Sequence, residues 1–215
     1  MGSTQSERSH GTQSLGLGDL GGLSSAESGF AEALITSRQN ISPKRLVEPG
    51  PNPEEQVRLF RAAAAAPDHG LLVPWRFVIV PEERRSALAN TFALALIDRD
   101  PGASLEQIEA AREKAYRAPL LMLVVAKLGD CEPAIPVLER MVSVGCAVQN
   151  VLLSAHSMAY GSSLTSGQAM CSPRMRQLFR LTDGDEAVCF VNIGTVSKRK
   201  VGRVHPEPSS FVSRL

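Results

Sequence analysis

The chain has no C-x-x-C pair. Its four cysteines, Cys131, Cys146, Cys171 and Cys189, stand far apart, which removes the spacing that a zinc site or a thioredoxin-like motif needs and favours buried free thiols. There is no charge bias either. With 23 basic residues against 22 acidic ones the formal net charge is +1, so bulk electrostatics point to neither a polyanion nor an acidic substrate. No apolar stretch reaches the roughly 18–20 uncharged residues expected of a membrane-spanning helix, and the N-terminus lacks the basic-then-apolar pattern of a signal peptide. The serines at 163 and 166 fit neither G-x-S-x-G nor S-x-x-K, so a hydrolase nucleophile has no setting. These absences leave a cytoplasmic protein with no nucleic-acid or membrane partner as the expectation.

What is present is enough apolar sequence for one domain: 215 residues, 43% of them hydrophobic, can bury a sizeable core. Residues 1–28 are rich in Gly, Ser and polar side chains and read as a flexible N-terminal tail, leaving 29–215 as the domain. Gly16, Gly18 and Gly21 in that tail formally satisfy G-x-G-x-x-G. The motif needs a strand before it and a helix after it, and neither is predicted there, so a dehydrogenase with its dinucleotide on the tail is a weak alternative.

Periodicity then predicts alternating elements. Short helices are expected over Phe30–Ser37 and Ser172–Phe179, and a strong one from Pro53, with Asn52 as N-cap and Pro67 as its stop. Further helices are predicted over Glu82–Ile97 and over Ser104–Arg117, where Ser104 and Gln107 are spaced as a capping box. Val137–Tyr160 is the most apolar long helix and must be covered on several sides, by the core or by a subunit contact. Strands are predicted at Trp75–Val80, at Leu120–Ala126 and at Glu186–Ile193, the last broken by Gly194. Gly161–Gly167 reads as a flexible loop. The pattern gives α+β or α/β with a small central sheet.

Three features could carry chemistry. His69, in Ala66-Pro67-Asp68-His69-Gly70 beside the only tryptophan, Trp75, is either a turn cap or a polar ligand contact. The small residues of Gly161–Gly167 let backbone approach a flat ring or a phosphate, although solvent-exposed turns use the same residues. Two basic clusters, Arg38 with Lys44 and Arg45, and Lys198-Arg199-Lys200, would suit a phosphomonoester if folding joined them; otherwise they are solvated surface.

The ordered series of these motifs resembles the FMN-dependent nitroreductase family, in particular its compact bacterial branch of NAD(P)H nitroreductases. It comprises Ser37-Arg38-Gln39-Asn40, Ser42-Pro43-Lys44-Arg45-Leu46, Ala66-Pro67-Asp68-His69-Gly70, Pro74-Trp75-Arg76-Phe77, Arg117-Ala118-Pro119, Gly145-Cys146-Ala147-Val148-Gln149-Asn150, Gly161–Gly167 and Gly194-Thr195. The resemblance implies an α+β fold that dimerises through long helices, with FMN bound noncovalently in sites shared between the two chains. It also implies a ping-pong cycle in which NADH or NADPH reduces the flavin, which then reduces a nitro compound, a quinone or a similar small acceptor. The cofactor contacts implied are Arg38, Gln39 and Asn40 in the phosphate motif, His69 at the flavin, Leu164, Thr165 and Ser166 in the loop, and Lys198 or Arg199 on the phosphate. Gln39 and Asn40 replace the second arginine and the serine of that motif, and Leu164-Thr165 replace Trp-Arg. A diverged protein of the same fold that binds flavin or another ligand without turnover is the alternative.

Overall fold

The computed structural model describes residues 24–199, 201–202 and 204–215. Six helices surround a five-stranded, wholly antiparallel sheet in the order β1-β5-β3-β2, with β4 also paired to β5. The strands are β1 (Leu46–Val47), β2 (Trp75–Ile79), β3 (Leu120–Lys127), β4 (Gly161–Thr165) and β5 (Asp185–Val196). This is the α+β class.

β3 is the spine of the core. It is buried from Leu120 to Ala126 because it has a paired neighbour on each side and helices on both faces. Leu120, Met122, Val124 and Ala126 join one core cluster and Leu121, Leu123 and Val125 the other, as the period of two along a strand requires. On the first face lie α2 (Pro53–Ala64) and α5 (Val137–Ser157), joined by Asn150 Nδ2 donating to Ala62 O at 3.0 Å. On the second lie α3 (Arg85–Arg99) and α6 (Pro173–Phe179), with α4 (Leu105–Arg112) against α3.

The helix starts follow the sequence closely. Asn52 with Glu55 and Ser104 with Gln107 form capping boxes, and Ser172 caps α6. α1 (Ser25–Ser37) starts earlier than periodicity suggested, because Ser24 and Glu27 close a further capping box. Residues 25–28 of the segment read as tail are therefore helical. The glycine motif at 16–21 lies outside the described residues.

Two expectations are corrected. Gly161–Gly167 is not a free loop: its first five residues are β4, paired with β5 from Gly161↔Gly194 to Thr165↔Phe190. A Cβ on Gly161 would lie 2.5 Å from Val196 Cγ2 and 2.9 Å from Leu46 Cδ2, so glycine is used here for close packing. Nor does Gly194 end β5, which runs on to Val196. A Cβ there would come within 2.6 Å of Pro119 Cδ.

α5 is covered by the core on one side only. By length and composition it is one helix that could cross a membrane, but one of its faces, with Val144, Ala147, Val151 and Ala155, is built into the core. The opposite face carries Leu138 and Val142, 80% and 66% exposed, and nothing stands against Gly145. α1, which rests on α5, buries none of its residues and exposes Phe30 and Ile35.

Candidate functional site

Two cavities lie at the two ends of β4. Residues 38–43 connect them, running beside that strand with Ile41 N donating to Ser162 O at 3.0 Å. Arg38, Gln39 and Ile41 line the smaller cavity and Pro43 the larger. One connecting segment thus serves both.

The smaller cavity, about 190 Å³, forms where the end of α1, the end of α5, the start of β4 and the residues after β5 converge. This convergence brings Arg38 and Arg199, 161 positions apart, to one place. Its other polar walls include Gln39, Ser37, Tyr160 and His156, with Ser37 Oγ 2.8 Å from His156 Nε2. Among the described residues no carboxylate lines it. Burial, then the Arg199 and Arg38 charges, hold the His156 imidazole below its ordinary pKa. A site with two guanidinium groups, a depressed histidine and no acid is built to receive an anion.

The larger cavity, about 530 Å³, opens on the α3 face at the other end of β4. Its floor is Phe92, Leu96, Leu121 and Phe190, and its rim carries Arg99, Lys114 and Arg117 with, among the described residues, no acidic one. Asn192 is the buried polar group. It sits in one row across three strands, paired with Leu121 on one side and Ser163 on the other. Its Nδ2 donates to Thr165 Oγ1 at 3.0 Å, which fixes the hydroxyl at the cavity wall. Ser163 Oγ is buried beside it and, among the described residues, meets no hydrogen-bond partner. The volume suits a planar polycyclic guest with polar edges, and the rim suits one that carries negative charge.

The residues singled out from the sequence divide as follows. Arg38, Gln39 and Arg199 meet in the smaller cavity, and Thr165 and Ser166 line the larger. Asn40 stands between them, bridged to Ser162. Leu164 and Lys198 are exposed and line neither cavity. His69 lies elsewhere, in the turn before β2, with Nδ1 2.5 Å from Glu139 Oε1 at the start of α5.

That turn is strained. Gly70, Leu71 and Val73 have φ of 75°, 53° and 46°, and a β-branched residue in this region is rare. Val73 N donates to Asp68 Oδ2 at 2.7 Å, which helps to hold the shape, and Leu71 is 85% exposed. Such strain persists only where the surroundings enforce it and gathers at ligand and contact sites.

Sequence reasoning missed His156 and Asn192. His156 had no signal, because it lies among serines near the end of an apolar helix. Asn192 did have one: it is the lone polar residue in the buried stretch Cys189–Gly194.

Comparison with known proteins places these features in a family. The nitroreductase family model matches residues 42–195. The chain is 34% identical over 186 residues to the Escherichia coli protein named "Putative NAD(P)H nitroreductase YdjA", covering 84% of this chain and 96% of that one. Among solved structures, a nitroreductase-like family protein from Bacillus cereus superposes with a TM-score of 0.74 at 17% identity, over 86% of this chain and 95% of that one. An iodotyrosine deiodinase, solved with FMN and 3-iodo-L-tyrosine, gives 0.62 at 20% identity, over 85% and 97%. Fold, motif order and family model agree, and the chain belongs to the nitroreductase family.

Proposed function

We propose that this member of an oxidoreductase family is an FMN-dependent NAD(P)H oxidoreductase that reduces a nitro compound, a quinone or a similar small acceptor in a ping-pong cycle. The observation that carries the proposal is the meeting of Arg38 and Arg199 in one cavity that no acid lines among the described residues, tied by residues 38–43 to a second cavity of ring-binding size. The donor set fits FMN. Arg38 and Arg199 would hold its phosphate, Gln39 and Asn40 its polyol, and Thr165 and Ser166 the edge of its ring. When bound, the flavin supplies the redox chemistry, accepting hydride from the nicotinamide and passing electrons to the acceptor.

The larger cavity contributes position and field. Among the described residues its lining within one chain holds no carboxylate and no histidine, and substrate protons would come from solvent or from a flavin-bound network. Arg99, Lys114 and Arg117 favour the negative charge that arrives with electrons.

The functional unit we infer is a homodimer. The bare faces of α5 and α1, with Leu138, Val142 and Phe30, and the exposed Leu71 of the strained turn, form apolar surface that a second copy would cover. His69, outside both cavities of its own protomer, would then wall the flavin of the partner. All four thiols are free, which suits a reducing cytoplasm.

A visible spectrum tests the function. The enzyme should show oxidised-flavin absorption near about 450 nm that NADPH or NADH bleaches without oxygen. A flavin that binds but never bleaches would leave a carrier or sensor instead, and a colourless protein that ignores added FMN would remove the flavin altogether.

A further inference from the structure

The smaller cavity holds a titratable group that flavin chemistry leaves unused. His156, in the last turn of α5, lines it together with Arg38 from the end of α1 and Arg199 from the segment after β5. Among the described residues these two guanidinium groups are the charges that line the cavity with it, and burial first, then those charges, disfavour a third positive charge there. The remaining titratable neighbours are engaged elsewhere. Tyr160 donates its hydroxyl to Glu55 Oε2 at 2.8 Å, and His205 has Nε2 3.2 Å from Thr36 O. Gln39, which lines the same cavity, is neutral.

We propose that His156 is the third cationic ligand of a phosphomonoester dianion in this cavity and takes up a proton from solvent as that dianion binds. The proposal rests on the assignment of this cavity to the flavin phosphate. Two negative charges beside the ring reverse the field of Arg38 and Arg199, so the imidazolium becomes the favoured form. As an imidazolium both ring nitrogens donate. Nε2–H then donates to Ser37 Oγ, 2.8 Å away, which frees the Ser37 hydrogen to turn toward the anion. One proton enters, no bond to phosphorus changes, and the cavity gains the charge that Gln39 does not bring.

The sign follows from linkage. His156 binds its proton more tightly in the complex than in the free protein, so phosphate affinity is highest below the complexed pKa and falls as pH rises through it. Each unit between the two values is tenfold in affinity. The phosphate has its own second ionisation near about pH 6, so the decline that belongs to the protein is read above about pH 7.

The test is titration calorimetry of the flavin-free full chain with FMN, riboflavin and inorganic phosphate. Each is run at about pH 8, where the monoester is fully dianionic and inorganic phosphate, whose second ionisation lies higher, is largely so, in Tris and in HEPES, whose ionisation heats differ. FMN and inorganic phosphate should bind with uptake of a substantial fraction of a proton, and riboflavin with none. His156→Gln, which keeps a partner for Ser37, should abolish the uptake, weaken FMN about tenfold at neutral pH and leave affinity nearly flat with pH. His205→Gln should retain the uptake. Binding of FMN with heats independent of buffer overturns the inference while leaving the flavin assignment intact, as does uptake that survives His156→Gln. Phosphate uptake with a proton but no FMN binding supports the role of His156 and removes the flavin. A chain that binds neither overturns both.

Discussion

The Arg38–Arg199 cavity and the Asp68–Pro74 turn differ in what one protomer can finish. Around the cavity, the ends of two helices, the start of a strand and the segment after β5 converge, and among the described residues every charge that lines it has the same sign. The turn has three residues with positive φ, an exposed hydrogen bond between His69 and Glu139, and a leucine that is 85% exposed. The basic cavity is assembled by the fold of one chain, whereas the turn is shaped and then presented outward. A flavin bridging the two would draw on two chains, and that division can be broken at either end.

The largest effect is expected from Val142→Glu on the bare face of α5. A charge buried without a partner costs several kcal/mol, so the variant should sediment as a folded monomer and bind FMN at least about tenfold more weakly, having lost the partner's His69 wall. Unchanged sedimentation with unchanged FMN affinity would separate the turn from the site.

The smallest effect is expected within the turn itself. Val73→Gly relieves a β-branched residue at φ 46° but adds freedom to the unfolded chain, leaving a net gain of about 0.5–1 kcal/mol. Denaturant unfolding should show it as a raised midpoint at constant slope. A loss of stability would mean that the Val73 side chain is held by contacts that outweigh its strain.

How much of this was legible in the sequence depended on the range of the forces involved. Asn52, Ser104 and Ser172 were readable as caps because a cap acts within one turn of its helix, and β3 was readable because its burial on both faces leaves an unbroken apolar run. β4 was not. Gly161-Ser162-Ser163-Leu164-Thr165 has little strand propensity, and it is extended because β5 pairs with one edge and Ile41 N reaches Ser162 O at the other. Gly194 looked like a strand breaker for the same local reason, when its missing side chain makes room for Pro119.

The site divided along the same line. Arg38 and Arg199 could be nominated by composition and family resemblance, but only the fold could bring the basic clusters together. His156 joined them from an apolar helix where nothing nearby in the sequence set it apart.

The central claim is that Arg38 and Arg199 anchor the phosphate of FMN, and the most direct measurement compares FMN with riboflavin by quenching of flavin fluorescence. Charge-assisted hydrogen bonds of this kind contribute about 1.5–3 kcal/mol each. The wild-type chain should therefore prefer FMN over riboflavin by at least about a hundredfold, and Arg38→Gln with Arg199→Gln should cut that preference to about tenfold or less while leaving riboflavin affinity within about threefold. Equal affinity of the wild-type chain for the two flavins, or a preference that the double substitution leaves undiminished, would contradict it.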